Sequence, residues 1–168
     1  IAEFGDVSAF SFHATKLFHS VEGGMLYAAD PQLRRDFQLQ RNFGIENEVL
    51  VSQVGGNAKM NEFQAAMGLI VLEKIDALIQ ERAEITAWYA RGLSDIPGIK
   101  FCGLPGTEGL RYNYAYLPIR VRRDFGISRD ALYEFLKTKE IYTRRYFYPL
   151  TSAFASYKDK FAPKLTPA

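Results

Sequence analysis

A long helical pattern in the middle of the chain constrains the fold more than any other feature. Between residues 63 and 93, apolar side chains recur three or four positions apart, which is the spacing of one face of an α-helix. Asn61 precedes this pattern and Gln64 follows three residues later, as in a capping box, so the helix is predicted to begin there. Because helices of globular proteins usually run about 8–20 residues, we expect a break and a domain boundary near residues 72–74.

The residues before this helix predict a strand, a shorter helix and a loop. The apolar run over residues 7–12 is typical of a buried strand. Asp30 and Pro31 form a helix start, with aspartate as the N-cap and proline at the first helical position. Gly44 is expected to end this helix, and the residues from there to position 58 are predicted to form a loop.

The residues after the long helix predict a second part of the fold. Residues 103–109 (GLPGTEG) are interpreted as a turn, because they lack the Lys-Ser/Thr pair of a phosphate-binding P-loop. Alternation of apolar and polar residues over 112–121 predicts a half-buried strand, and Ser128 is the N-cap of a further helix. The aromatic and basic stretch 141–150 contains a proline, which limits it to an edge strand or a loop. The order of these elements favours an α/β chain in two parts.

Composition excludes several classes of protein. One cysteine and two histidines in 168 residues exclude a disulfide framework and a Cys-rich zinc site, and His13 with His19 lacks further metal ligands nearby. The net charge of +2 is too small to indicate nucleic-acid binding. No apolar run approaches the length of a membrane span and no signal peptide is visible, so we expect a cytoplasmic protein that binds no membrane.

The segment SFHATK, which ends at Lys16, carries candidate chemistry. If Phe10 and Phe12 point into a core, the polar residues that alternate with them point the other way. These polar residues are Ser11 and His13. Lys16 stands where a strand gives way to a loop, a common position for functional groups, and a lysine amine can act as a nucleophile. Taken alone, it is more simply an exposed loop lysine.

Three motifs in order change this interpretation. They are FSFHATKLFHSVEGGMLYAAD, RNFG and GGNAKMNEFQAAMGL. Together they resemble the DegT/DnrJ/EryC1/StrS family of sugar aminotransferases, which use pyridoxal phosphate and have the aspartate aminotransferase fold. The resemblance is close over residues 3–95 and looser beyond. It implies a fold type I transferase in which residues 1–72 end the large cofactor-binding domain, and residues 73–168 form a connecting helix and part of a small α+β domain.

The resemblance implies roles for three residues toward the cofactor. Lys16 matches the catalytic lysine that forms a Schiff base with pyridoxal phosphate and then moves a proton during amino transfer. Ser11 matches the hydroxyl that binds the cofactor phosphate, and Asn57 matches a residue that reaches this phosphate from the partner subunit. The alternatives are that Ser11 makes only a local hydrogen bond and that Asn57 is a turn or capping residue.

His13, Arg41 and Tyr148 are candidate substrate-binding residues. His13 lies on the same predicted strand face as Ser11 and could line the pocket, although a structural histidine is the simpler interpretation. Arg41 is one of several arginines that could neutralise a nucleotide diphosphate, and Tyr148 is one of several tyrosines that could pack against a base or sugar. The alternatives are a solvated basic face or an RNA-binding surface, and the absence of an RNP-type motif argues against the latter.

Lysine at position 16 favours transamination, because the dehydratase relatives in this family carry histidine there. The resemblance implies a nucleotide-linked keto-6-deoxy sugar as substrate, such as a dTDP-3-keto- or dTDP-4-keto-6-deoxyhexose. It also implies glutamate as amino donor and a homodimer with active sites at the interface. The product would be an amino sugar for a surface polysaccharide such as O-antigen, or for a secondary metabolite.

Only fifteen residues precede Lys16. The family's carboxylate opposite the pyridine nitrogen and its ring-stacking residue therefore have no counterpart here. We expect the chain to be an internal part of a longer enzyme and to be inactive by itself. Two other hypotheses remain open: a non-catalytic regulatory protein that binds pyridoxal phosphate on the same fold, and a basic interaction module.

Overall fold

The computed structural model describes residues 4–102, 111–146 and 148–157. The chain divides into two compact units, the first containing Ile1–Ile85 with Asn113–Ala115 and the second containing the remaining residues. The turn predicted at residues 103–109 lies outside the described residues. The domain boundary predicted at residue 72 stays a prediction.

The first unit begins with a two-stranded antiparallel sheet. Strand β1 (Val7–Ser11) pairs with β2 (Gly24–Ala28), and Ser11 lies opposite Gly24 in the register. Burial alternates along β1, and the predicted opposite orientation of Phe10, which is half-buried, and Ser11, which is exposed, is confirmed. The expectation of a buried strand is wrong, because every residue of β1 is half-buried or exposed.

Helix α1 (Pro31–Arg41) has the predicted start. The Asp30 side chain accepts hydrogen bonds from two backbone N–H groups of the first turn, at 2.6 and 3.4 Å. The Arg34 guanidinium donates to the carbonyl of Ala28 at 2.8 Å, which ties the helix to the end of β2. The predicted stop is also confirmed, because the Gly44 N–H donates back to a carbonyl of the last helical turn at 2.7 Å.

Helix α2 (Glu62–Leu93) is continuous over 32 residues. The break predicted near residues 72–74 is therefore wrong. The segment Leu-Glu-Lys at that point contains good helix formers and no proline, so nothing in the local sequence interrupts the backbone hydrogen bonds. The usual helix length is an average over many proteins and does not limit the length of an individual helix.

The capping box at the start of α2 is confirmed in both directions. The Gln64 N–H donates to Asn61 Oδ1 at 2.9 Å, and the Asn61 N–H donates to Gln64 Oε1 at 3.2 Å. We predict that Asn61→Ala lowers the free energy of unfolding by about 0.5–2 kcal/mol, because it leaves a helix N–H without its partner. Urea unfolding measures this loss. Asn61→Asp, which keeps an acceptor, should remain near wild type, and equal midpoints for all three proteins would contradict the prediction.

The second unit contains a second, shorter antiparallel pair. Strand β3 (Ile99–Phe101) pairs with β4 (Ile119–Val121), and the strand predicted over 112–121 is realised only in these last three residues. Tyr114 has a φ of +49°, which is incompatible with a regular strand. Alternation alone therefore overestimated the length of this strand, because within the described residues only Ile119–Val121 pair with a neighbouring strand.

Helix α3 (Arg129–Thr138) begins where it was predicted. Ser128 Oγ accepts a hydrogen bond from the backbone N–H of Ala131 at 3.1 Å. Residues 141–146 and 148–150 form neither helix nor strand, as the loop alternative required. Two single turns of 3₁₀-helix, Arg123–Phe125 and Thr151–Ala153, complete the regular structure of the described ranges.

The buried residues of the described ranges are few. Leu17, Ala28 and Val71 are the buried apolar side chains there, and Ser20 and Thr86 are the buried polar ones. Four of these five belong to the first unit, where the loop between the two strands packs on α2. None of the helices described is long and apolar enough to cross a bilayer.

Candidate functional site

The connection between β1 and β2, residues 12–23, carries Lys16 and is called the lysine loop here. The Phe12 N–H donates to the carbonyl of Gly23 at 2.9 Å, and the Ser20 N–H donates to the carbonyl of Phe12 at 3.0 Å. The Lys16 N–H donates to the carbonyl of His13 at 2.9 Å and forms a tight turn within the loop. Backbone hydrogen bonds therefore hold both the base of the loop and the turn that carries the lysine.

Side-chain packing fixes the lysine loop on helix α2. The rings of Phe12 and Phe18 meet edge to face, with centroids 4.8 Å apart. A Cβ placed on Gly68 of α2 would lie 3.6 Å from Ser20 Cβ and 3.7 Å from Phe18 Cζ, which are ordinary contact distances. The loop thus packs directly on this turn of the helix, and Leu17, the neighbour of Lys16, is buried.

Glu22-Gly23 closes the loop around a buried hydroxyl. Ser20 is only 1% exposed, and its Oγ donates to the carbonyl of Glu22 at 2.8 Å. Gly23 has a φ of +152°, and a Cβ there would lie 2.5 Å from Ser20 Oγ. Glycine is required at this position because a side chain would displace the serine.

Lys16 is half-buried on this loop. Within the part of the chain that the structure describes, its ammonium makes no hydrogen bond or ion pair. The Lys16 side chain, unlike its backbone N–H, therefore takes no part in holding the loop together. No described residue occupies its nitrogen, which can bond to a ligand.

Two other predicted residues lie beside Lys16. Ser11 Oγ, at the exposed end of β1, accepts only a long hydrogen bond, 3.5 Å from the His13 N–H. His13 Nδ1 lies 2.9 Å from Thr15 Oγ1, and its Nε2 lies 3.5 Å from Glu22 Oε1. The histidine is thus engaged within the loop, which supports the structural interpretation more than a substrate contact. Thr15 and Glu22 were missed from the sequence, because Glu22 meets His13 only once the loop has closed.

Arg41 and Asn57 lie together at a second place in the first unit. An open groove of about 720 Å³ is lined by both residues and by Phe10, Met25 and Arg34, among others. The Ala58 N–H donates to the carbonyl of Arg41 at 3.0 Å and keeps the two segments adjacent. Neither Ser11 nor Lys16 lines this groove. The Asn57 side chain accepts a 3.4 Å hydrogen bond from the backbone two residues later, so it also behaves as a turn residue.

Tyr148 belongs to the second unit. Its ring lies under the guanidinium of Arg129, with 4.8 Å between the guanidinium carbon and the ring centroid. Arg145 stacks in the same way on Tyr133, at 4.9 Å. The substrate-binding role of Tyr148 stays a prediction, and its observed partner is the first residue of α3.

The side chains of the lysine loop fit a cofactor that carries an aldehyde and a phosphate. A primary amine without a partner can bond to an aldehyde, and an exposed serine hydroxyl five residues earlier can donate to a phosphate oxygen. A metal is a poorer match, because no group of three or more His, Cys, Asp or Glu side chains that could hold an ion occurs among the described residues.

Comparison with known sequences identifies the family to which this chain belongs. The model of the DegT/DnrJ/EryC1/StrS aminotransferase family matches residues 1–167. The dTDP-4-amino-4,6-dideoxy-D-glucose transaminase of Shigella dysenteriae is 38% identical over 157 residues, which cover 94% of this chain and 42% of the relative. The Escherichia coli enzyme of the same name is 39% identical over 137 residues, covering 82% and 36%. The chain spans about two fifths of the length of these relatives.

Solved structures agree with the fold. Helicobacter pylori PseC, an aminotransferase of pseudoaminic acid biosynthesis, superimposes with a TM-score of 0.82 at 27% identity, covering 94% of this chain and 43% of that one. DesI, solved with its TDP-sugar product, superimposes with a TM-score of 0.80 at 33% identity, covering 92% and 39%. The predicted fold class is confirmed by these matches. By sequence and by fold, the chain belongs to the DegT/DnrJ/EryC1/StrS aminotransferase family of pyridoxal-phosphate-dependent enzymes.

Proposed function

We propose that the full-length protein transfers an amino group from glutamate to C4 of a dTDP-linked 4-keto-6-deoxyhexose. The lysine loop carries this proposal, because it holds a half-buried amine without a partner among the described residues. The names of the Shigella dysenteriae and Escherichia coli relatives support both the dTDP group and amination at C4. They favour the 4-keto over the 3-keto substrate that the sequence left open.

Lys16 and Ser11 have different roles in the proposed reaction. Pyridoxal phosphate, when bound, supplies an electron sink for the negative charge that develops on the substrate carbon. Lys16 Nζ would hold the cofactor and, once released from it, would take a proton from the glutamate carbon that loses the amino group and later give a proton to the sugar carbon that receives it. The Ser11 hydroxyl would donate a hydrogen bond to the cofactor phosphate. Leu17, the neighbour of Lys16, is buried and anchors the loop from which Lys16 extends.

Arg41, Asn57, His13 and Tyr148 complete the proposal. The Arg41 guanidinium can pair with a diphosphate by two parallel hydrogen bonds. Asn57 lies in the same groove and would donate its amide to the cofactor phosphate of a second subunit. His13 and Tyr148 would line the substrate pocket in addition to making the contacts described above.

The same proposal includes a homodimer with active sites at the interface and a cytoplasmic location. It also includes a role in the synthesis of O-antigen or another surface polysaccharide. Exposed apolar side chains at the start of α2 support the dimer. Phe63 is 89% exposed, and Ile70, seven residues later on the same face of the helix, is 53% exposed. Apolar side chains exposed together on one face can mark a contact with another chain.

Absorbance spectra of the full-length protein test the activity. We expect a band from the cofactor bound to Lys16, its loss on adding glutamate, and its return on adding the dTDP-4-keto sugar. A band that glutamate and keto sugars leave unchanged would favour the non-catalytic regulatory protein. No band, together with salt-sensitive nucleic-acid binding, would favour the basic interaction module.

A further inference from the structure

His13 contacts the lysine loop on both sides of Lys16. Its Nδ1 accepts from the backbone N–H of Thr15, the residue before the lysine, at 3.2 Å, and lies 2.9 Å from the Thr15 hydroxyl. Its Nε2 lies 3.5 Å from Glu22 Oε1, near the end of the loop. One imidazole thus connects the turn that carries Lys16 to the segment that returns the chain to β2.

These contacts select one form of the imidazole. A backbone N–H can only donate, so Nδ1 must carry its lone pair toward Thr15. The proton of neutral His13 is then on Nε2, which faces the Glu22 carboxylate, an acceptor. In the opposite tautomer, the proton on His13 Nδ1 would face the Thr15 N–H, which is also a donor. The lone pair of Nε2 would then face the Glu22 carboxylate. The Nε2–H tautomer therefore satisfies all the contacts at once.

The backbone of His13 acts on the same turn. Its carbonyl accepts the Lys16 N–H at 2.9 Å, while its side chain holds the preceding N–H. Together these bonds fix the peptide planes on either side of Thr15, and the direction of the Cα–Cβ bond of Lys16 follows from them. Without the imidazole, the Thr15 N–H would have only water as its partner.

The energetic effect is expected to be local. The side chains of His13 and Glu22 are 48% and 66% exposed, and at such exposure even an ion pair contributes little to the stability of a protein. Loss of the imidazole should therefore change the turn without unfolding the chain. A change in the turn without a loss of overall stability distinguishes a positioning role of His13 from a merely structural one.

We infer that His13 is a positioning residue, whose Nε2–H tautomer joins Thr15 to Glu22 and sets the direction in which Lys16 leaves the loop. The positioning of Lys16 toward a cofactor rests on the proposed function. The tautomer and the hydrogen bond to Thr15 do not, so they can be tested in the protein without cofactor.

The variants are His13→Leu, which removes both ring nitrogens, and His13→Asn, whose Oδ1 can accept the N–H two residues later. His19→Leu is the matched control. His19 lies in the same loop, and its Nδ1 accepts the N–H of Val21, also two residues later, at 3.4 Å. It differs in lying away from the turn that holds Lys16.

The first measurement uses full-length protein without cofactor. Long-range ¹H–¹⁵N NMR spectra should show the proton of His13 on Nε2, and hydrogen exchange at the Thr15 amide should accelerate in His13→Leu and return toward wild type in His13→Asn. His19→Leu should leave Thr15 exchange unchanged. A proton on Nδ1, or equal exchange in all variants, would overturn the inference whatever the protein catalyses.

The second measurement adds pyridoxal phosphate. His13→Leu should weaken its binding on the order of tenfold, the change expected for about one net hydrogen bond, with the melting temperature unchanged. His13→Asn should recover most of the affinity. Wild-type affinity in His13→Leu would refute the positioning role. If the wild-type protein itself binds no pyridoxal phosphate, the proposed function fails while the NMR result still decides the role of His13 in the loop.

Discussion

Lys16→Ala in the full-length protein is expected to abolish covalent attachment of the cofactor and to lower the transamination rate by about 10²–10⁴-fold, the usual contribution of a positioned acid–base group. The loss should be specific to chemistry, because the Lys16 ammonium bonds no other described residue and does not hold the loop. Borohydride reduction followed by peptide mass spectrometry locates the attachment, and steady-state kinetics measures the rate.

Two further variants make this result interpretable. Lys16→Arg keeps the positive charge but cannot form the covalent bond, so it should be as inactive as the alanine variant. Lys74→Ala removes an exposed lysine from α2 and should keep wild-type activity. The melting temperatures of all three should match that of wild type. Cofactor trapped on another lysine, such as Lys59, would refute the assignment of Lys16.

Gly44→Ala is expected to produce the largest loss of stability in the first unit. Gly44 is buried at the end of α1 with a φ of +74°, where an L-side chain is strained. Its new Cβ would overlap the carbonyl oxygen of Gln53 across the loop. We predict a decrease in the free energy of unfolding of about 2–5 kcal/mol, which combines the cost of the left-handed conformation with that of overpacking.

Gly56→Ala is the control for this prediction. Gly56 lies in the same loop, and a Cβ there would meet nothing within 4 Å. The substitution should be neutral or raise stability by about 0.4–1 kcal/mol, because it restricts the unfolded chain. Urea unfolding should therefore give Gly56→Ala a midpoint at or above that of wild type and Gly44→Ala a midpoint well below it. Equal midpoints would mean that the backbone moves to accept a side chain at Gly44.

Features that depend on neighbouring residues could be predicted from the sequence. The Asp30 cap, the capping box of Asn61 and the Ser128 cap each involve a side chain and a backbone group at most three residues apart. The opposite faces of Phe10 and Ser11 follow from the two-residue period of a strand. Such contacts form whatever the rest of the chain does.

Features that depend on distant residues could not be predicted. The strand expected over 112–121 needed a neighbouring strand along its whole length, and within the described ranges only its last three residues pair with one. The contact between His13 and Glu22 requires the lysine loop to close, which no local pattern encodes. Of the candidate site, Lys16 and Ser11 were predicted through the resemblance of three ordered motifs, since a loop lysine by itself carries little information.

The lysine loop also bears on how such chains can evolve. The turn at Lys16 is held by its backbone N–H, by its buried neighbour Leu17 and by the Thr15–His13 contact, and none of these uses the Lys16 side chain. A mutation at codon 16 can therefore exchange the reactive group while the surrounding architecture persists. Natural selection could divert a lineage toward a different reaction by one substitution here, whereas moving the lysine to either adjacent codon would first disrupt the scaffold.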